Sequence, residues 1–156
     1  MKKTCILVLE NLRSVENTAS IFRSADGFGV SKIILVGTTP APLDRFGRLR
    51  KDFAKISLGA EGSVKYEHVN DLGSEIEYLR EDGFEIVALE QDSRSKRLKD
   101  FKSKDKFVLI VGSETDGVSK EILDLSDHIV EIPMKGTKES LNVAIATGVA
   151  LFALSR

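Results

Sequence analysis

Ser140 and Asn142 stand at the mouth of a run that stays apolar to Leu154, where polar side chains need a reason. One reason is capping: a serine at the start of a helix accepts from free backbone amides. The other is a binding site built on the same turn, and both readings stay open from these residues alone. Glu114 sits in the glycine-bounded loop Gly112–Gly117, as a cap or as an acceptor that orients a neighbour. Arg23 lies in a helical stretch among the small residues Ala19, Ser20 and Gly27, as a solvated surface group or as a cation aimed at an anion. Between Asp44 and Lys55 the basic residues Arg45, Arg48, Arg50, Lys51 and Lys55 interleave with Phe46 and Phe53. Such a run either solvates a face or presents charge to phosphates with rings for stacking. A second basic stretch, Arg94–Lys106, carries seven Lys or Arg against Asp100 and Asp105.

Several chemistries are disfavoured. Gly112 to Ser119 reads G-x-x-x-x-G-V-S, with Val118 where a phosphate-binding loop needs its lysine. Gly27-Phe28-Gly29 lacks the third glycine of a dinucleotide fingerprint and follows a helix rather than a strand. No G-x-S-x-G elbow supports a serine hydrolase. One cysteine, Cys5, and two histidines, His68 and His128, give no local metal-ligand cluster, so no metal is expected. A lone cysteine in an apolar run suits a reducing cytoplasm.

The elements that would position these residues follow from periodicity. Cys5–Leu9 is a continuous apolar run that reads as a strand buried on both faces, and Lys32–Val36, Val64–Val69, Phe84–Leu89, Phe107–Val111 and His128–Ile132 read as further strands. Helical stripes separate several of them: Ile21, Ala25 and Phe28 in one, and Leu72, Ile76 and Leu79 in another. Ser119 is placed to cap a short helix through Leu125. Pro133 ends the last strand, and Ser140 is expected to cap the final helix. That helix is apolar all round, so it should be covered on more than one side, by the core or by a second subunit. The alternation predicts an α/β fold, a parallel sheet of about six strands with helices on both faces. Ligands of such sheets bind beyond the carboxyl ends of the strands. The loops after Leu89, at Gly112–Gly117 and at Pro133–Ser140 lie there.

The 156 residues suit one domain. The net charge of −1 creates no global field toward nucleic acid, which leaves any such partner to a local patch. No run approaches the ~20 apolar residues of a membrane span.

Three blocks in register then carry a resemblance. They are Asn17-Thr18-Ala19-Ser20-Ile21-Phe22-Arg23-Ser24-Ala25-Asp26-Gly27-Phe28-Gly29-Val30, then Val111-Gly112-Ser113-Glu114-Thr115-Asp116-Gly117, then Ile132-Pro133-Met134-Lys135-Gly136 with Ser140-Leu141-Asn142-Val143. In this order and spacing they resemble the signature motifs of the SpoU/TrmH family of 2′-O-ribose RNA methyltransferases. Ser57-Leu58-Gly59-Ala60-Glu61 also looks like a recurrent family stretch. The resemblance implies a C-terminal deep trefoil knot, a rare exception to the rule that chains do not knot. It implies S-adenosyl-L-methionine bound at Leu89, Glu90, Gly112, Ile132, Met134, Ser140 and Leu141. It implies an active site of Asn17, Arg23, Glu114, Ser140 and Asn142, with Arg23 as base or as electrostatic clamp. It also implies a homodimer through the helices around the knot.

Relatives often carry an additional RNA-binding domain. The expectation here is a single methyltransferase domain over 1–156, gripping RNA with Arg45, Arg48, Arg50, Lys51 and Lys55 and with the second basic stretch. The expected substrate is transfer RNA. The alternatives are ribosomal RNA, or a non-catalytic RNA-binding dimer of the same fold.

Overall fold

A computed structural model describes residues 2–156. The chain runs β1 (Thr4–Glu10), α1 (Val15–Gly27), β2 (Lys32–Val36), α2 (Lys51–Ser57), α3 (Ala60–Ser63), β3 (Tyr66–Val69) and α4 (Leu72–Glu81). It continues with β4 (Glu85–Leu89), β5 (Lys96–Arg97), β6 (Lys106–Val111), α5 (Lys120–Leu125), β7 (His128–Glu131) and α6 (Val143–Leu154). The strands form one sheet in the order β3-β2-β1-β6-β4-β7-β5. Every pairing in it is parallel. All carboxyl ends therefore share one edge of the sheet.

The central strands β1 and β6 are buried on both faces, and this is why they read as unbroken apolar runs, whereas the edge strands β3 and β5 are largely exposed. Side chains alternate across a strand. Cys5, Leu7 and Leu9 of β1 and Phe107, Leu109 and Val111 of β6 join one cluster, with Ile21 and Phe22 of α1, Phe53 of α2 and Leu151 of α6. Ile6, Val8, Val108 and Ile110 join the other, with Ile76 and Leu79 of α4 and Ile122 of α5. The six predicted strands are all present. A seventh, the two-residue β5, pairs only through its backbone at the sheet edge, Lys96 opposite Val130 and Arg97 opposite Glu131.

Two capping expectations are corrected. The last helix starts at Val143, so the capping side chain is Asn142 rather than Ser140. The Asn142 carboxamide oxygen accepts from the amides of Ala144 at 2.8 Å and Ile145 at 3.2 Å. A cap must reach the second and third amides of its own helix, and Ser140 lies too far upstream to do so. Ser119 precedes α5, but its hydroxyl makes no cap bond. It donates instead to Glu10, which is 6% exposed, and the Ser119 amide donates to the other oxygen of the same carboxylate. Cys5 is buried, and burial pushes its thiol up to about 12, so it is inert as a nucleophile.

Candidate active site

A cavity of about 470 Å³ opens at the carboxyl edge of the sheet, above β4, β6 and β7. That size suits a small-molecule site. Three segments wall it: the end of β4 into Glu90 and Gln91, the loop Gly112–Gly117 after β6, and the chain that leaves β7 and returns at Ser140–Val143. Eleven predicted positions reduce to a clear division. Leu89, Glu90, Gly112, Ile132, Met134, Ser140 and Leu141 all line the cavity, and so do Asn17, Glu114 and Asn142. Arg23 does not. It lines a separate shallow depression with Asp26, Ser57, Leu58, Gly59, Ala60 and Ser63.

The loop after β6 is folded on itself so tightly that one position tolerates no side chain. A Cβ on Gly112 would lie 2.0 Å from the carbonyl carbon of Gly117 and 2.2 Å from the amide of Val118. The turn is held by a bond from the Gly117 amide to the Ser113 carbonyl at 3.0 Å. Glu90 braces it from the neighbouring strand. Its carboxylate accepts from the amide of Val118 at 3.0 Å and from the amide of Gln91 at 3.0 Å. Glu90 thus lines the cavity with a carboxylate already committed to backbone. The walls facing the cavity include the apolar side chains Leu89, Ile132, Met134 and Leu141.

A chain of hydrogen bonds joins the three sequence blocks. Glu114 accepts from the amides of Arg13 and Ser14, each at 3.0 Å, and from the Asn17 carboxamide at 3.2 Å. The Asn17 carboxamide oxygen accepts in turn from Asn142 at 3.0 Å. Glu114 can only accept when ionised, so it fixes which end of Asn17 faces it, and that fixes Asn142. With its nitrogen donated to Asn17, the Asn142 carboxamide oxygen points at the amides of α6. Glu114 therefore orients Asn17 and the start of α1, and it makes no contact with Arg23.

Partial burial alone would raise the Glu114 carboxyl. The amide donors of Arg13 and Ser14 and the Asn17 side chain outweigh it and hold the group below its usual 4.5. A carboxyl depressed in the folded state stabilises the fold above its unfolded value, and that contribution is lost as pH falls through the folded value. Wild-type protein is therefore expected to lose more stability than Glu114→Gln as pH drops from about 6 to about 3. Urea midpoints across that range would show it, and parallel losses in the two proteins would refute it.

Arg23 projects from α1 six residues past Asn17, which is about 9 Å along the axis and on a different face. The depression it lines is bounded by unusual backbone, with Leu58 at φ 50° and Gly59 at φ 93°. A leucine in the left-handed region is strained, and such strain concentrates at functional turns. The predicted RNA-contacting residues lie elsewhere on the same side of the sheet. Arg45 and Arg48 sit on the loop after β2, and Arg50, Lys51 and Lys55 lie at or within α2. Arg50 is held in a two-pronged pair by Asp52 at 3.2 and 3.0 Å. In the second basic stretch, Arg94 is committed to Asp92 and Asp124, both at 2.8 Å.

The cavity also uses residues that the sequence did not single out. Gln91 reaches across to the carbonyl of Glu139 at 2.7 Å and ties the β4 loop to the returning chain. Its only sequence signal is its place directly after Glu90 at a strand's carboxyl end. Ser113 contributes through its hydroxyl, which accepts from the Asp116 amide at 2.9 Å.

The model of the SpoU rRNA Methylase family matches residues 4–152, nearly the whole chain. The chain belongs to this family. The 23S rRNA (guanosine-2′-O-)-methyltransferase RlmB of Escherichia coli K12 is 31% identical over 147 residues, which cover 94% of this chain and 58% of that protein. An AdoMet-bound rRNA methyltransferase from Sinorhizobium meliloti superposes with a TM-score of 0.87 at 28% identity, over 98% of this chain and 56% of its own. The A. aeolicus TrmH/SpoU tRNA modifying enzyme superposes with a TM-score of 0.84 at 28% identity, over 97% of this chain and 74% of its own. The chain thus spans little more than half the length of the curated relatives it matches. The segment after β7 shares the cavity wall with the ends of β4 and β6 before α6 packs on α1.

Proposed function

We propose that this chain is an S-adenosyl-L-methionine-dependent methyltransferase acting on a ribose 2′-hydroxyl of RNA, with transfer RNA as substrate in preference to ribosomal RNA. The observation that carries it is the meeting of three distant motifs around one cavity, joined by the Glu114–Asn17–Asn142 chain. Both a tRNA modifying enzyme and a ribosomal RNA methyltransferase are among the proteins it resembles, and methylation of the two RNAs is compared directly in the test below. The cavity fits the cofactor in size and in character. Leu89, Ile132, Met134 and Leu141 supply apolar walls, and the backbone of the Gly112 loop supplies polar groups. When bound, the cofactor supplies an electrophilic methyl group on a sulfonium.

Everything else falls to the chain. Transfer to a hydroxyl needs alignment and stabilisation of charge on the attacking oxygen. Ser140 and Asn142 line the mouth, where they can hold the ribose. Asn142 is pre-oriented by Asn17 and Glu114 and so loses little freedom on binding. Arg23 acts as the clamp on the nucleotide's phosphate and on developing negative charge, since a guanidinium remains protonated. It lines a depression separate from the cavity of its own chain, and we assign it to the cavity of a second copy.

A homodimer supports that arrangement. On α6, Thr147, Ala150, Leu151 and Leu154 face the core, whereas Ile145, Val149 and Phe152 stay 59%, 43% and 60% exposed. Phe28, the residue directly after α1, lies beside Phe152, with ring centroids 6.3 Å apart. An apolar stripe of this kind marks an interface. Ser24, next to Arg23, faces Gly148 of α6, so the arginine emerges close to it. Replacing Ile145 and Phe152 together by lysine is expected to convert a dimer to a folded monomer in sedimentation, and a wild-type monomer would overturn the dimer.

No helix among the described residues is long and apolar enough to cross a membrane. We place the reaction in the cytoplasm, in keeping with the reduced Cys5. Calorimetric titration with the cofactor tests the pocket, and mass-spectrometric mapping of RNA treated with protein and labelled cofactor tests the reaction. Ribose methylation in transfer RNA is the expected result. Folded protein that binds no cofactor, or a methyl group found on a base, would overturn the proposal.

A further inference from the structure

The loop after β2 ends in a small tip closed by its own hydrogen bonds. Leu43 and Leu49 pair as an antiparallel bridge at its base. Above it the Asp44 amide donates to the Arg48 carbonyl at 2.8 Å, and the Gly47 amide donates to the Asp44 carbonyl at 3.0 Å. The Asp44 carboxylate accepts from the amides of Phe46 at 2.8 Å and Arg48 at 3.0 Å. Gly47, at φ 76°, takes the left-handed residue that closes the turn.

This tip holds up a phenyl ring. Phe46 is 64% exposed, whereas Phe53, a few residues on, is fully buried against Phe22 with centroids 5.1 Å apart. The ring partners of Phe46 are two guanidiniums, Arg45 at 4.8 Å and Arg48 at 5.0 Å from its centroid. Arg48 pairs with Asp44 at 3.8 Å and Arg50 with Asp52 at 3.0 Å, but among the described residues no carboxylate pairs with Arg45, Lys51 or Lys55, so unpaired positive charge extends from the tip along α2. The tip rises from the carboxyl end of β2, two strands from β6. At ordinary strand spacing its root is about 10 Å from the root of the Gly112 loop.

We propose that Phe46, with Arg45 and Arg48, is a stacking platform for an unpaired base of the RNA substrate, flanking the nucleotide held at the cavity. The inference rests on the RNA reading above and adds to it that the substrate is unpaired at this point. A base has faces that stack on a phenyl ring or on a guanidinium plane, and phosphates on either side meet Arg45, Arg48, Lys51 and Lys55. A paired helix shields its base faces and offers the tip only phosphates.

The test compares two RNAs on the full chain with saturating cofactor: a hairpin with an unpaired loop, and a blunt duplex of the same stem. Phe46→Ala is expected to weaken hairpin binding about 10-fold or more and to leave the duplex within about 2-fold. Its salt dependence should match wild type, because no charge is lost. Phe46→Trp should restore hairpin affinity, whereas Phe46→Leu should not. Arg45→Ala should weaken both RNAs and reduce the salt slope by about 1. An unchanged hairpin affinity in Phe46→Ala, equal losses on both RNAs, or full rescue by leucine would each overturn the platform while leaving the RNA reading intact. Wild-type protein that binds cofactor but neither RNA would overturn both.

Discussion

Gly112→Ala is expected to abolish detectable adenosylmethionine binding and to lower the melting temperature by roughly 6–12 °C, the equivalent of about 3 kcal/mol in a domain of this size. The new methyl carbon would sit 2.0 Å from the Gly117 carbonyl carbon and 2.2 Å from its oxygen. These are backbone atoms, and they cannot swing aside as a long side chain would. The turn is closed by the bridge between Ser113 and Gly117, and the Val118 amide is anchored on Glu90. The loop must therefore open, and opening it moves a whole wall of the cavity. Gly136→Ala is the control, since a Cβ there meets nothing within 4 Å. Calorimetric titration and thermal melting of both variants decide it. A Gly112→Ala protein that binds the cofactor like wild type would show that the loop is not the pocket's wall.

Arg23→Ala is expected to lower the methylation rate roughly 10²–10³-fold, the usual effect of removing one group that stabilises charge in the transition state. Stability should stay within about 0.5 kcal/mol, because Arg23 is exposed and no ion pair of it occurs among the described residues. Cofactor affinity should also hold, because Arg23 is absent from the cavity wall. A second experiment separates action within one chain from action across two. Arg23→Ala mixed with the pocket variant Asn142→Ala gives mixed dimers with one site that has both an intact cavity and an intact arginine. Exchange of subunits should then recover about a quarter of wild-type activity, from half the dimers with one of two sites working. No recovery would place the arginine in its own chain's site, and a fully active Arg23→Ala would remove it from the mechanism. Unaltered RNA binding with no methylation by wild type would favour a non-catalytic RNA-binding protein.

The strands were legible because burial on both faces leaves a plain mark: Cys5–Leu9 and Phe107–Val111 have no polar residue to confuse the pattern. β5 was not, since two basic residues paired only through backbone leave no such mark. The cavity residues were legible as motifs but not their division. Nothing in the string of letters says that Asn17 turns into the cavity while Arg23, on the same helix, turns out of it. That follows from helix phase together with the place of the 112–117 loop. Ser140 and Asn142 are both ordinary caps by type, and which one serves depends on where the helix starts. Phe46 and Phe53 sit in the same charged run and look alike there. Only the packing of α2 on α1 decides that one is core and the other stands in water.

The hydrogen bond from Asn142 to Asn17 spans 125 residues. During synthesis, α1 emerges early and its partner almost last. β1 also waits for β6 before its second ladder can form, with only β2 made in time to cover the other edge. The nascent molecule can thus build half a sheet on the ribosome but no cavity, and a polypeptide released before Asn142 would hold most of its core and none of its binding competence.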